Sequence, residues 1–334
     1  MIDEGSYFWM GGRLGRGLLE MGHDLGLIND WENSNETGSW AVLIDYEGNP
    51  TCLRFAEVAE SPFPQPQVNW KSLTTPWRST LDAKSYQSYV QEMREQIASG
   101  ELYQANACRI LSNQTEADLA PLFVEMLQRN PSPYSAFLSI PGLQIASASP
   151  ELFLQRTGDR IITSPIKGTS QSPDFGEKDR AENIMIADLM RNDLGKICMP
   201  GSVMTPRLLA TEEHPGLFHL VTDVSGQLRA GISWKEILAA LLPAGSISGA
   251  PKLSAQQVIA QHEGGRGPYC GVMGWIDEGS AILSVLIRTF WKSGGDQLKF
   301  GTGAGITWGS DPQEEWNETV LKAARFMAIV GGGS

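Results

Sequence analysis

The apolar positions of this chain follow two periods. Over residues 82–99, Tyr86, Tyr89, Val90, Met93 and Ile97 recur at steps of three and four, which predicts a helix opened by Asp82 and stopped by Gly100. Similar patterns predict helices over 118–130, 179–197, 234–242 and 312–330, and a Leu- and Met-rich stretch predicts a short one over 13–27. Between them lie short apolar runs broken by Gly, Pro, Asn and Asp, which predict strands. Residues 40–46 and 52–58 form a hairpin across Glu47-Gly48-Asn49-Pro50; several short strands fill 134–164; others fall at 217–228, 269–276, 281–291 and 297–307. Residues 101–110 alternate, so Leu102, Gln104 and Asn106 share one side. Strand runs punctuated by helices, with few strict strand-helix alternations, predict an α+β fold with antiparallel sheets. Pro62, Pro64 and Pro66 mark 61–75 as a linker, dividing the chain into an N-terminal strand and linker region, 1–75, and one continuous globular unit, 76–334.

Composition narrows the partners. A net charge of −12 argues against nucleic acid or an anionic membrane, and an anionic substrate would need local cations, main-chain donors or a metal to overcome that field. Cys52, Cys108, Cys198 and Cys270 form no C-x-x-C pair, which suggests neither a disulfide framework nor a zinc site and fits a reducing cytoplasm. No sustained apolar run marks a signal peptide or a membrane span. The glycine-rich run from Gly11 to Gly17 lacks the Gly-Lys-Ser/Thr ending of a phosphate loop and reads as a turn.

Candidate chemistry concentrates in a few places. Two short strands joined by a turn at Thr157-Gly158-Asp159 put Glu151 and Lys167 near opposite ends of one hairpin. Lys167 lies between Ile166 and Gly168. It is either solvated or held in an apolar pocket where its amine becomes a nucleophile. Asp179 and Glu182 stand three apart at one helix start, and Glu315 and Glu318 repeat the spacing at another. These acids either answer the helix macrodipole or embrace a hard cation such as Mg²⁺. The loop 243–252, rich in small residues and serine, is either an anion-facing turn or a connector. Arg288 interrupts an apolar strand, where an anionic partner is expected, and Gly301-Thr-Gly-Ala-Gly305 exposes backbone for close approach.

Pro165-Ile166-Lys167-Gly168-Thr169, preceded by Ser149-Pro150-Glu151, resembles the signature of the chorismate-utilising enzymes. The lysine is the form typical of aminodeoxychorismate synthase component I, whereas anthranilate synthases usually have alanine there. The resemblance runs from about Asp82 to the end. It includes the stretch from Asp179 to Gly195, His219-Leu-Val, the stretch from Gly245 to Lys252, Ile287-Arg-Thr289, Gly303-Ala-Gly305 and Glu315-Trp-Asn-Glu318.

The fold it implies is a large sandwich of antiparallel sheets flanked by helices, with the site in a cleft. The resemblance further implies Glu182 and Glu318 as Mg²⁺ ligands, with Asp179 and Glu315 acting through metal-bound water. The ring carboxylate would lie near Gly168 and Thr169, and the enolpyruvyl carboxylate near Tyr269, Arg288, Gly305 and Lys322. Gly303 accompanies Gly305, and His219 and Ser246 match active-site positions. Glu151 corresponds to the general acid beside the departing C4 hydroxyl, and Lys167 to the nucleophile at C2. Gln104 stands where water-adding relatives have a lysine base; an amide cannot take that proton.

The implied reaction converts chorismate and ammonia to 4-amino-4-deoxychorismate, for 4-aminobenzoate and folate. Ammonia would come from a separate glutamine amidotransferase subunit, since the chain has no recognisable glutaminase motif. Alternatives within the resemblance are anthranilate synthase component I or a non-catalytic chorismate binder. Ile282-Leu283 departs from the Asp-Thr that relatives often carry.

Overall fold

The computed structural model describes residues 3–34, 37–170, 172–214 and 217–332; the side chains of Asp3, Glu4, Thr169, His214 and Leu217 lie outside that description. In chain order the first elements are β1 (Asp3–Met10), β2 (Arg13–Gly22), α1 (Gly26–Glu32), β3 (Ser39–Ile44), β4 (Pro50–Glu60), β5 (Arg78–Ser79), α2 (Ala83–Ala98), β6 (Gln104–Gln114) and α3 (Ala120–Arg129). Next come β7 (Tyr134–Ile140), β8 (Leu143–Ser149), β9 (Leu152–Thr157), β10 (Arg160–Ser164), β11 (Ile166–Ser170), α4 (Glu177–Gly195), β12 (Met204–His214) and β13 (Leu217–Gln227). The chain closes with α5 (Trp234–Leu241), β14 (Gly249–Ala250), α6 (Lys252–His262), β15 (Val272–Asp277), β16 (Ser280–Val285), β17 (Thr289–Ser293), β18 (Gln297–Ile306) and α7 (Pro312–Val330).

The strand ladders are antiparallel and form one hydrogen-bonded path. It runs β12, β13, β10, β9, β16, β15, β3, β4, β2, β1, β7, β8, β17, β18, β6; β11 also pairs with β13, and β5 and β14 with β6. The path doubles back at β2, whose residues pair with both β1 and β4. Phe8 of β1 consequently packs on Trp275 of β15 with ring centroids 4.7 Å apart, across the interior between the two halves. Alternation along β1 turns Trp9 the other way. There it joins Phe137, Phe290 and Phe300 beneath α3 and α7, with Phe300 stacked on Phe326 at 5.4 Å. Helices α2 and α6 cover β6 and β18 through Tyr86, Tyr89, Met93, Ala255 and Ile259. Helices thus flank a folded antiparallel sheet, the α+β arrangement expected.

Three expectations are corrected. Residues 13–22 are not helical: Leu14 and Leu18 are buried while Gly15 and Gly17 weaken a helix, and the stretch becomes the fold-line strand. A side chain at Gly15 would lie 2.8 Å from both Phe55 and Trp275, so the strand approaches the core closely. Residues 281–291 are not one strand. β16 pairs with β9 and β15, whereas β17 pairs with β8 and β18, so the chain changes layer between them. Arg288 makes that crossing with a left-handed φ of 54°. Finally, Ser164 pairs with Leu152, which brings Glu151 and Lys167 to the same open end of the β9–β10 hairpin. The proline-rich stretch 61–75 is tied down: Phe63 is buried in the α3 cluster and the Trp70 indole donates to Val330 O.

Candidate active site

Glu151 leaves β8 and enters β9 under cover of the sheet, only 3% exposed. Burial pushes its carboxyl up to about 7, against the opposing pull of the Ser246 hydroxyl, Lys167, the Ile166 N–H and Arg288. Desolvation is the largest of these effects and outweighs the pull of Lys167 and Arg288. Lys167, on β11, is 8% exposed, and its Nζ lies 2.8 Å from Glu182 Oε1. Lys167 is therefore buried as one half of an ion pair rather than solvated or held among apolar groups alone.

Glu182 projects from α4 and is held from a second side by Gln104 Nε2 at 2.5 Å. Gln104 is fully buried, and its Oε1 has no hydrogen-bond partner among the described residues. Gly305, on the neighbouring strand β18, makes room for both: a Cβ there would lie 2.6 Å from Gln104 Nε2 and 2.7 Å from Glu182 Oε1. Gly168 has φ of 88°, and a side chain there would press on Phe175, the Asp179 Cβ and Leu220 at 3.1–3.3 Å. It therefore lets β11 lie against the start of α4. The side chain of Thr169, named with Gly168 as a carboxylate contact, is outside the described residues.

Lys178 links the starts of α4 and α7, where the four acids stand. Asp179 Oδ2 accepts the Gly176 N–H at 3.2 Å and so caps its own helix. Lys178 Nζ reaches Glu315 Oε1 at 3.4 Å, bridging the two helices. Burial raises the Glu315 carboxyl and Glu318 raises it further, while Ser310 and Lys178 oppose. Burial also pushes Glu318 up, but Lys322, Lys167 and Lys178 outweigh it and hold the carboxyl low. Lys322 Nζ is 2.6 Å from Glu318 Oε1 and donates to the Gly303 carbonyl at 3.1 Å. Buried Thr319, Ala323 and Phe326 anchor the opposite stripe of α7, which aims Glu318 and Lys322 outward.

No cluster of three or more acid, His or Cys ligands is gathered among the described residues. Three carboxylates instead hold one lysine each: Glu182 with Lys167, Glu315 with Lys178, Glu318 with Lys322. The donor chemistry still suits a hard divalent cation, which takes carboxylate oxygens and completes its shell with water and ligand oxygens.

Arg288 stands at the layer crossing. Burial, then the neighbouring Arg325, lower its guanidinium to about 10, so it stays cationic at neutral pH. Its Nη2 lies 3.4 Å from Nε2 of buried His219, on β13. An arginine only donates, so Nε2 is the accepting nitrogen and the imidazole proton belongs on Nδ1. Ser246 is buried; its hydroxyl opposes the rise of the Glu151 carboxyl, and its carbonyl accepts Asn106 Nδ2 at 3.0 Å. The Tyr269 ring occupies the space above Gly301, where a Cβ would be 2.1 Å away, and its strongest electrostatic neighbours are Cys108, Cys270 and Arg266. The structure thus brings together Lys167, Glu151, Glu182, Gln104, Ser246 and Arg288, and adds Lys178, Asn106, Ser310 and Arg325. Lys178 and Asn106 were within reach of sequence reasoning, one position before Asp179 and two after Gln104.

A family model described as chorismate binding enzyme matches residues 51–328. The chain is 38% identical over 269 residues to anthranilate synthase component 1 1 of Haloarcula marismortui, covering 76% of this chain and 55% of that protein. It is 34% identical over 311 residues to aminodeoxychorismate synthase component 1 of Escherichia coli, covering 86% and 68%. The chain therefore spans little more than half of the first relative and about two thirds of the second. Among solved structures, anthranilate synthase component I from Streptococcus pneumoniae superposes with a TM-score of 0.81 at 20% identity, covering 97% and 92%. MenF, the menaquinone-specific isochorismate synthase from Escherichia coli, does so with 0.82 at 19%, covering 97% and 88%. At such identities these two structures establish the fold.

Proposed function

The chain belongs to the chorismate binding enzymes, and we propose that within that family it performs the aminodeoxychorismate synthase component I reaction, aminating chorismate at C4. The observation that carries this reading is the buried amine of Lys167 at the same hairpin end as a carboxyl that burial raises to about 7. One group attacks and the other supplies a proton, and each role requires removal from water.

Lys167 must shed a proton before it can attack, and the carboxylate nearest its amine is Glu182, 2.8 Å away. The lysine nitrogen then bonds to C2 as the ring double bonds shift, the C4–O bond breaks, and the Glu151 proton leaves with the hydroxyl as water. Ammonia adds at C4, the double bonds shift back, and the C2–N bond breaks to return the lysine amine. Arg288 and Lys322 bind the enolpyruvyl carboxylate, with Gly303 and Gly305 at its side, and Gly168 and Thr169 flank the ring carboxylate. Gln104, lacking a basic atom, keeps water from being activated in place of the amine. His219 orients Arg288. Tyr269 belongs with Arg288 and Lys322 in the group that holds the enolpyruvyl carboxylate.

Mg²⁺ would be held by Glu182 and Glu318, with Asp179 and Glu315 next to it, and would supply positive charge to the ring carboxylate. Ammonia would come from a glutamine amidotransferase subunit in the same cytoplasmic compartment, because all four cysteines here are buried and none is placed as a glutaminase nucleophile. The 38% identity to an anthranilate synthase component favours a second reading, elimination of pyruvate to give anthranilate. Incubation with chorismate, Mg²⁺ and an ammonium salt separates them. The expected product is 4-amino-4-deoxychorismate; anthranilate with equimolar pyruvate would overturn the assignment.

A further inference from the structure

Arg266 carries a charge into the interior at 1% exposure and uses its guanidinium on three segments at once. Nε and Nη2 donate to the Glu263 carboxylate at 2.7 and 2.9 Å. Nη2 also reaches the Asn106 carbonyl at 2.8 Å, and Nη1 the Ile247 carbonyl at 3.1 Å. The guanidinium carbon sits 4.3 Å from the Tyr46 ring centroid. Filling this space alone would call for an apolar side chain, since a buried ion pair recovers its desolvation cost only with good geometry and further bonds. The further bonds are the informative part. Asn106 follows Gln104 by two residues on β6, and Ile247 follows Ser246.

The same two segments are also joined directly. Asn106 Nδ2 donates to the Ser246 carbonyl at 3.0 Å, and its main-chain N–H donates to the Ser248 carbonyl at 2.9 Å. Glu263 braces the clamp by accepting the Cys108 N–H at 2.8 Å and the Tyr89 hydroxyl at 2.9 Å. The loop that presents Ser246 to Glu151 is therefore tied to β6 through both Arg266 and Asn106.

We propose that Arg266 is a positioning residue that fixes the Ser246 hydroxyl against the Glu151 carboxyl by clamping the 245–248 loop to β6. The groups facing Glu151 are Lys167 and the Ile166 N–H from β11, Arg288 from the layer crossing, and Ser246 from this loop. Arg266 acts on that set through Ser246. The Ser246 hydroxyl favours the carboxylate, so moving it away leaves burial less opposed and makes Glu151 a weaker acid. The inference rests on Glu151 being the acid of the proposed reaction.

The test is the pH dependence of kcat, with chorismate, Mg²⁺ and an ammonium salt, for the parent, Arg266→Lys, Ser246→Ala and the double variant. Arg266→Lys keeps the charge but loses the planar fork. It is expected to lower kcat by about 10- to 100-fold, with the chorismate KM changed by less than about threefold. The alkaline limb should move up by roughly half to one pH unit, as in Ser246→Ala, and the double variant should move it no further than Ser246→Ala alone. Glu47→Gln is the stability control: it replaces one of the two carboxylate oxygens that accept the Arg266 and Gly267 main-chain N–H groups, at 2.7 and 3.0 Å, with an NH₂ donor, and should lower Tm without moving the limb. Asn106→Ala opens the clamp from the β6 side and should shift the limb in the same direction, which keeps the question answerable if Arg266→Lys does not fold. An unmoved limb in the clamp variants, or additive shifts in the double variant, overturns the positioning role. A limb that survives in Glu151→Gln overturns the acid assignment itself and the inference with it.

Discussion

Lys167 Nζ lies 2.8 Å from Glu182 Oε1, so the residue assigned as nucleophile is the counter-ion of a residue assigned to the metal. Both are nearly buried, at 9% and 12% side-chain exposure, and removing one leaves the other uncompensated. Lys167→Ala is therefore expected to cost about 3 kcal/mol of stability, within the range for breaking a buried pair, and to abolish amination at C4. Urea unfolding and product analysis check the two effects separately. Intact-mass measurement of the parent trapped with chorismate in the absence of ammonia should show an adduct on a peptide containing Lys167. Parental rates in Lys167→Ala, with no adduct in the parent, would remove the covalent route.

Glu151 sets the pH behaviour. Its folded pKa of about 7 is above the ordinary 4.5, so the folded chain binds a proton that the unfolded chain has lost between those values. Stability is retained below 4.5 and declines as pH rises through about 7. Activity that needs the acid form should fall over the upper part of that window. In Glu151→Gln the alkaline limb of kcat should vanish, chorismate binding should persist, and stability should lose less between pH 5 and 8. Denaturant titrations and rate profiles across this range test the assignment.

Metal use should depend on Glu182 and Glu318 more than folding does. The Glu318–Lys322 pair is nearly half exposed, so Glu318→Gln is expected to change stability by less than about 1 kcal/mol. Calorimetry with Mg²⁺ in the presence of chorismate should show affinity reduced at least about tenfold in Glu318→Gln and in Glu182→Gln. Unchanged Mg²⁺ affinity in both variants would rule these residues out as ligands.

Gly305→Ala should displace Gln104 and Glu182 together, because the new Cβ would sit 2.6 and 2.7 Å from them. A stability loss of about 1–3 kcal/mol is expected, together with a fall in kcat/KM of at least about tenfold. Gly142→Ala is a useful contrast: that glycine has φ of 78° and an added Cβ meets nothing within 4 Å, so it should cost conformational energy without touching the site. Equal activity losses in the two variants would show that Gly305 has no special relation to the cleft.

The purified chain should aminate chorismate with ammonium and leave glutamine intact. All four cysteines are buried, which denies glutamine a nucleophile. Glutamate release from glutamine by the chain alone would contradict this.

What the sequence alone determined was local. The helix around Tyr86, Tyr89, Val90 and Met93 lies where the 3.6-residue period put it, and the acids at 179, 182, 315 and 318 stand at helix starts as their spacing predicted. Those features depend on residues within a turn or two of one another, and their order along the chain carried the family resemblance. Tertiary structure decided the rest. Residues 13–22 became a strand because β1 and β4 bond to both of their edges, and pairing with residues up to 60 outweighs local propensity. Arg288 marks a change of layer because β16 and β17 find different neighbours, a choice no local apolar run records. Lys178 meets Glu315 across 137 positions, and Arg266 meets Asn106 across 160. Such partners are absent from periodicity because a charge specifies only the kind of group it needs. Which group it meets is set when the folded sheet brings distant segments within hydrogen-bond reach and removes water from between them.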